Sequence, residues 1–407
     1  MQDKTICILL AGGEGSRLYP LTADRAKPAV PFGGRYRIID FTLSNCLHSG
    51  LRRILVLTQY KSHSLQKHLR DGWSIFNPEL AEYITPVPPQ MRTGKSWYVG
   101  TADAIYQNLY LLERSGAELV LILSGDHIYR MDYAAMLQFH VDKGSDVTIA
   151  SMEVLREEAR AFGVLDVDEY DRVVDFKEKV PNPPSLPNKP DFSLVSMGVY
   201  VFSLSLLADC LREDNHNPAS GHDFGKDILP SLVQSHEVSA YQFGGTTGRV
   251  TQDRYWRDVG TIDAYYESNM DLLKPVPSID LYQTDWPIRT YEGQHPPART
   301  VPGNTGKEAV IVNCILASGI IISGASVIHS ILFPSARVEE GAVVEASLLF
   351  NDVVVEENAR LNRCIIDKNV RVPAGETIGL DRAKDAGRFA ISEKGIVVVP
   401  QGYRFRP

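Results

Sequence analysis

The chain has 407 residues, more than one hydrophobic core usually serves, so two domains are expected. A hydrophobic share of 44% with 23% charged residues is ordinary for a soluble globular protein. The formal net charge is −8, no basic block tracks a nucleic-acid backbone, and no apolar run is long enough to cross a bilayer. Nucleic acid and membrane are therefore not expected partners.

The apolar run 6–10 reads as a buried strand that delivers Gly12-Gly13-Glu14-Gly15 into a loop. Backbone N–H groups exposed by glycine suit a phosphate, and Arg17 and Lys27 add two cations just downstream. The loop is neither of the common phosphate motifs. Leu18 stands where the dinucleotide fingerprint needs its third glycine, and no Gly-Lys-Ser/Thr follows. Runs 54–58, 119–123 and 147–152 read as further buried strands. Segments 64–70, 102–114 and 133–143 read as amphipathic helices between and after them. This alternation predicts an α/β sheet with crossover helices, whose ligands bind beyond the carboxyl ends of the strands.

Asp126, in Ser124-Gly125-Asp126, falls at such a strand end. Asp258 stands beside a glycine turn ahead of Thr261. Two hard oxygen ligands suit Mg2+, which prefers one or two carboxylates plus phosphates. An Asp before a helix serves equally as an N-cap, and Asp258 is open to both readings. Glu178-Lys179 closes an alternating run before a proline-rich turn. On local sequence it is either a phosphate or sugar grip or a solvated surface pair.

Residues 274–305 carry Pro275, Pro277, Pro287, Pro296, Pro297 and Pro302, and read as an ordered connector because Trp286, Ile288 and Tyr291 need somewhere to pack. Beyond it the period becomes six. Ile322 and Ile328 are six apart, as are Val338, Val344 and Phe350, Val355 and Leu361, and Val372 and Ile378, with Gly324, Gly341, Ala346 and Gly375 at turns. A six-residue apolar repeat predicts a β-helix of four to five coils, with a slip between 350 and 355; a small antiparallel sheet is the alternative. The solenoid's open end must be covered by the tail 381–407 or by another subunit. The domains expected are thus 1–273, 274–305 and 306–407. Five scattered cysteines without a Cys-x-x-Cys pair, and a first strand that starts within five residues, point to reduced thiols and a cytoplasmic protein.

The ordered motifs are Gly12-Gly13-Glu14-Gly15-Ser16-Arg17-Leu18 with Lys27-Pro28, Phe32-Gly33-Gly34-Arg35-Tyr36-Arg37, Gly125-Asp126-His127 and Asp223-Phe224-Gly225-Lys226-Asp227. With Tyr255-Trp256-Arg257-Asp258 and the hexapeptide region, they span nearly the whole chain. In them the sequence resembles the sugar-nucleotide pyrophosphorylases, and more narrowly the bacterial ADP-glucose pyrophosphorylases. The resemblance implies a mostly parallel, Rossmann-like nucleotidyltransferase sheet followed by a left-handed parallel β-helix. It implies a reaction in which glucose 1-phosphate attacks the α-phosphorus of ATP in line, giving ADP-glucose for glycogen synthesis and pyrophosphate.

The resemblance makes Arg17, Lys27 and Asp126 catalytic, with Gly12, Gly13 and Gly15 binding the nucleotide. Asp126 and Asp258 match the Mg2+ carboxylates. Lys179 matches the lysine on the sugar phosphate, and Tyr98, Gly163, Glu178 and Ser196 match other positions of that site. Arg25 and Arg37 match an allosteric anion site, and the family implies a homotetramer. Two departures stand out: Val180 replaces a proline after Glu178-Lys179, and Asp24 replaces a lysine of members activated by fructose 1,6-bisphosphate. An acid repels a bisphosphate, so another anionic metabolite is expected as effector. Other readings are the same chemistry with UTP or GTP, a non-catalytic regulatory subunit, and a hexapeptide acyltransferase. Against the last, only His329 lies in the repeats, and no long loop interrupts them.

Overall fold

A computed structural model describes residues 1–90, 97–245 and 254–405. The strand Thr5–Ala11 lies between Arg53–Thr58 and Leu119–Ser124, parallel to both, and Tyr83–Val87 extends the sheet in the same sense. Its side chains alternate between two buried layers. Ile6 and Ile8 pack on one face with Leu55 and Ile122, and Cys7 and Leu9 pack on the other with Val56 and Leu121. Burial on both faces explains why these strands read as continuous apolar runs.

The other half of this nine-stranded sheet is largely antiparallel, although Val238–Gln242 lies parallel to Val147–Leu155 at its side. Phe192–Ser203 runs antiparallel to Leu119–Ser124, Val147–Leu155 and Gly163–Val167, and Val173–Glu178 returns antiparallel beside Gly163–Val167. The expected parallel sheet is thus present, with a largely antiparallel extension on one side. A parallel crossover needs a dozen or more residues, and the short link after Gly163–Val167 permits only a hairpin. Phe192–Ser203 shifts register between Ser196 and Tyr200, where Gly198 takes φ +69.

The helices expected over 64–70 and 133–143 are His63–Trp73 and Tyr133–Lys143. The one expected over 102–114 is broken into Thr101–Tyr106 and Leu109–Arg114. At the break Asn108 donates its amide to the Ala104 carbonyl and to the Tyr98 hydroxyl, at 2.8 and 2.9 Å. In the connector, Trp286 is buried and donates to Asn45 Oδ1 at 3.1 Å, and Ile288 is buried beside it in sequence. Tyr291 is half exposed, contrary to expectation.

The C-terminal repeats form three stacks of parallel strands, five, five and six strands deep, the last including the antiparallel Ala390–Ile391. Val327, Val344, Leu361 and Ile378 share one stack, 17 residues from each to the next. That is one residue short of three full hexads, which is the origin of the slip. It also moves Val327 inside and leaves Ile328 partly exposed, against the six-residue spacing from Ile322. The tail caps the last coil: Val397–Val399 adds to Cys364–Ile366, and Phe389, Tyr403 and Phe405 pack ring against ring.

The solenoid and the α/β sheet region share one apolar cluster. Ile331, Phe333, Leu348 and Phe350 from the coils lie with Leu18, Leu21, Phe32 and Tyr265.

Candidate active site

Thr5–Ala11 and Leu119–Ser124 end side by side, so Gly12-Gly13 and Gly125-Asp126 emerge at the same edge of the sheet. Gly12, Gly13 and Asp126 line a cavity of about 540 Å3, a size suited to a nucleotide. A Cβ on Gly13 would meet nothing within 4 Å, so its backbone stands open to a phosphate. Gly15 takes φ +66, and its carbonyl accepts the Thr22 hydroxyl at 2.9 Å. Arg17 is exposed on the next turn. Its Nη2 lies 3.0 Å from where a Cβ of Gly260 would stand, and both Asp258 carboxylate oxygens lie 3.1 Å from that point. Gly260 thus keeps open the gap between Arg17 and Asp258.

Lys27 is the centre of the site. Its buried ammonium donates to Asp126 Oδ2 at 2.7 Å and to Asp258 Oδ1 at 2.9 Å, joining residues distant in sequence. Burial alone would lower the Lys27 pKa, but the two carboxylates more than reverse this and raise it. Burial likewise pushes Asp126 up, yet Lys27, His127 and the Ser124 hydroxyl together hold it well below the usual carboxylate range. Asp258 sits on Trp256–Asp258, paired with His127–Tyr129 so that Asp258 faces His127. It is not the helix cap: Thr261 fills that role, its hydroxyl accepting from Ala264 N at 3.2 Å.

Tyr98 also lines the cavity, on the wall formed with Gln59, Gly100 and Thr101. Gly163, Glu178 and Ser196 do not line it but sit behind it. Glu178 Oε2 lies 2.8 Å from the place of a Gly163 Cβ and 2.6 Å from that of a Gly225 Cβ, two residues beyond Asp223, which does line the cavity. The Ser196 hydroxyl donates to the Tyr200 hydroxyl at 3.3 Å and accepts from Gly198 N at 3.2 Å. Lys179 is exposed, with φ +50, and pairs with Glu178 at 2.9 Å. It lies outside the cavity lining.

Arg25 and Arg37 lie apart from these groups, at the junction with the solenoid. Arg25 is buried and pairs with Asp367 at 2.9 Å; its Nη1 has no hydrogen-bond partner among the described residues. Arg37 donates to the Ser64 carbonyl at 2.9 Å, and burial lowers its pKa. Lys368 lines a neighbouring cavity of about 180 Å3 with Arg37, Lys67 and His68. Burial first, then Arg37 and Arg25, bring the Lys368 pKa down to about 7.

Residues 6–275 match the nucleotidyl transferase family, and residues 296–399 match the GlmU-like C-terminal hexapeptide family. A Vibrio vulnificus (strain YJ016) protein named glucose-1-phosphate adenylyltransferase 2 is 64% identical over 405 residues, covering all of both chains. A Vibrio cholerae protein of the same name is 60% identical over 100% of this chain and 99% of its own. An Enterobacter glucose-1-phosphate adenylyltransferase is 48% identical over 97% of this chain and 93% of its own. The chain belongs to the glucose-1-phosphate adenylyltransferase family of nucleotidyl transferases.

Nucleotidyl transferases of this family generally use a divalent metal, and the donor set fits one. One ligand atom each from Asp126, His127 and Asp258 lie within 4.8 Å of one another, and the Lys27 ammonium already lies against both carboxylates as a cation must. Sequence reasoning did not single out three groups of this nucleotidyl transferase. Asp223 appeared only within a motif, because Asp-Phe-Gly-Lys reads as a cap, and its carboxylate does accept from Gly225 N and Lys226 N. Gln59 and Gly260 carried no chemical signal of their own. Asp367 and Lys368 lie in a coil of the repeat, where nothing local marks the first as the partner of Arg25 or the second as a cation beside Arg37. No helix among the described residues is long and apolar enough to cross a membrane.

Proposed function

We propose that the protein transfers the adenylyl group of ATP to glucose 1-phosphate, forming ADP-glucose and releasing pyrophosphate. The observation that carries this reading is the Lys27 ammonium bridging Asp126 and Asp258 at 2.7 and 2.9 Å beside the open Gly12-Gly13 loop. A phosphate oxygen of the sugar attacks the α-phosphorus while the bond to the β-phosphate bridging oxygen breaks. Such a reaction asks for positioning and charge stabilisation rather than a covalent nucleophile. The backbone of Gly12, Gly13 and Gly15 cradles the triphosphate. Arg17 and Lys27 neutralise charge on the departing pyrophosphate, where a preorganised cation has most effect. Mg2+ held by Asp126 and Asp258 supplies further neutralisation of the phosphates when bound. Tyr98, Gly163, Glu178, Lys179 and Ser196 serve the sugar-phosphate end, with Lys179 turning from Glu178 to the phosphate.

In this reading residues 1–273 hold the chemistry, 274–305 connect, and 306–407 support the effector site and a homotetramer. The setting is the cytoplasm, and the product feeds glycogen or a related α-glucan. Arg25 and Arg37, with Lys368, take an anionic metabolite. The deciding measurement is the initial rate of pyrophosphate release with glucose 1-phosphate and each of the four nucleotides. ATP is expected to lead; a tenfold preference for UTP overturns the nucleotide assignment.

A further inference from the structure

His222 occupies a left-handed backbone conformation, φ +54, which is uncommon for a non-glycine residue. Here a closed ring of hydrogen bonds holds it. His222 Nδ1–H donates to Asp214 Oδ2 at 2.6 Å, the Ser220 hydroxyl donates to Asp214 Oδ1 at 2.6 Å, and His222 N–H donates to Ser220 Oγ at 2.9 Å. Asp214 lies in the last turn of the helix Leu204–Asn215, so the ring anchors the loop to a packed element. A carboxylate accepts only, so the ring fixes the proton on Nδ1.

The consequence falls on the cavity wall. The turn brings the Gly221 and His222 carbonyls onto Gly100, where a Cβ would stand 2.6 and 2.1 Å from their oxygens. The His222 carbonyl also accepts from Ala102 N at 2.8 Å. The next residue, Asp223, accepts the Thr101 hydroxyl at 3.3 Å and lines the cavity. Gly225, two residues on, abuts the Glu178 carboxylate. One histidine backbone therefore sets where Asp223 and the surface behind Glu178 stand relative to Tyr98–Thr101. No hydrogen bond or ion pair joins it to Lys27, Asp126 or Asp258 among the described residues.

We infer that His222 is a positioning residue for the sugar-phosphate half of the site, holding Asp223 and the 97–101 wall in register through its Asp214-anchored left-handed turn. This rests on the assignment of Glu178 and Gly163 to the sugar phosphate made above. The test compares wild type, His222→Ala and His222→Asn in steady-state kinetics with ATP and glucose 1-phosphate varied in turn. Asn tolerates the left-handed conformation and offers an amide N–H close to where Nδ1 stood. His222→Ala is expected to raise KM for the sugar phosphate about tenfold, as loss of register at a bound substrate does, with KM for ATP within about twofold. His222→Asn is expected to recover most of that loss.

A parallel rise in both KM values, or an Asn variant no better than Ala, overturns the inference. Should His222→Ala fail to fold, Ser220→Ala, which removes the other partner of Asp214, is expected to give the same split at smaller size. Equal KM values for Ser220→Ala and wild type then overturn it. The wild-type rate with glucose 1-phosphate scores the substrate assignment separately. If wild type prefers another sugar 1-phosphate, the variants are compared on that substrate with the same criteria.

Discussion

Replacing Lys27 by methionine keeps the length of the side chain and removes the charge between two carboxylates. Removing one partner of a buried ion pair costs about 3–5 kcal/mol. Asp126 and Asp258 keep 28% and 23% of their side-chain surface exposed, so water recovers part of this, and a loss of about 2–3 kcal/mol is expected near pH 7. The pH dependence has a definite sign. Asp126 is held below its ordinary pKa when folded, so its contribution is complete above the carboxylate range and lost as pH falls through the folded value. Lys27 is raised, so its contribution is complete below 10.5 and lost as pH rises through its folded value. In Lys27→Met the burial that pushes Asp126 up goes unopposed by its largest counter-charge. Urea denaturation should show the deficit widest between about pH 5 and 9 and narrowing progressively as the pH falls through and below the carboxylate range. Pyrophosphate release with both substrates saturating should fall about 10²–10³-fold, the usual loss when a preorganised charge-stabilising group is removed. A deficit that is flat with pH, or a rate within tenfold of wild type, would refute the reasoning.

Asp126→Asn and Asp258→Asn should each abolish most turnover while circular dichroism stays native-like, with Tm lowered less than in Lys27→Met because the other carboxylate still pairs the ammonium; near-full activity in either removes that residue from the metal set. Gly15→Ala places a Cβ 3.1 Å from Thr22 Cγ2 and 3.2 Å from Lys27 Cβ at φ +66, and should cost about 1–3 kcal/mol and raise KM for ATP. An unchanged KM would detach the loop from the nucleotide. Arg25→Ala and Arg37→Ala should flatten the response to anionic metabolites, with Arg25→Ala also lowering Tm because Asp367 loses its partner. Unchanged activation and inhibition curves end the effector reading. With Lys368 near 7, half-saturation by an anionic effector should rise between pH 6 and pH 8.5 as that charge is lost, and a pH-independent value would exclude Lys368 from the site.

The groups legible in sequence were those whose signal is local. A strand, three glycines and Arg17 are contiguous, and Asp126 follows its own strand, so the loop and one carboxylate could be located from neighbours alone. Asp258 could not be separated from a helix cap until Thr261 was seen doing that work. Asp223 gains its place from Thr101, 122 residues earlier, and Arg25 from Asp367, 342 residues later. Contacts at that separation leave no trace in spacing. The sheet divided the same way: strand–helix alternation marked its parallel half, whereas an apolar run such as 192–203 says nothing about direction. The coils were legible as a period, but a repeat of 17 read as sixes puts Ile328 on the wrong face.

Phe333 and Phe350, on successive coils, meet edge to face with ring centres 4.9 Å apart, in the cluster that also holds Leu18, Phe32 and Tyr265. Leu18 directly follows Arg17 in the glycine loop that lines the cavity. The solenoid is thus part of the wall on which that loop is built, not a detachable module. A substitution at Phe333 or Phe350 therefore acts on the packing around Leu18, whereas Ile328, partly exposed, lies outside that cluster.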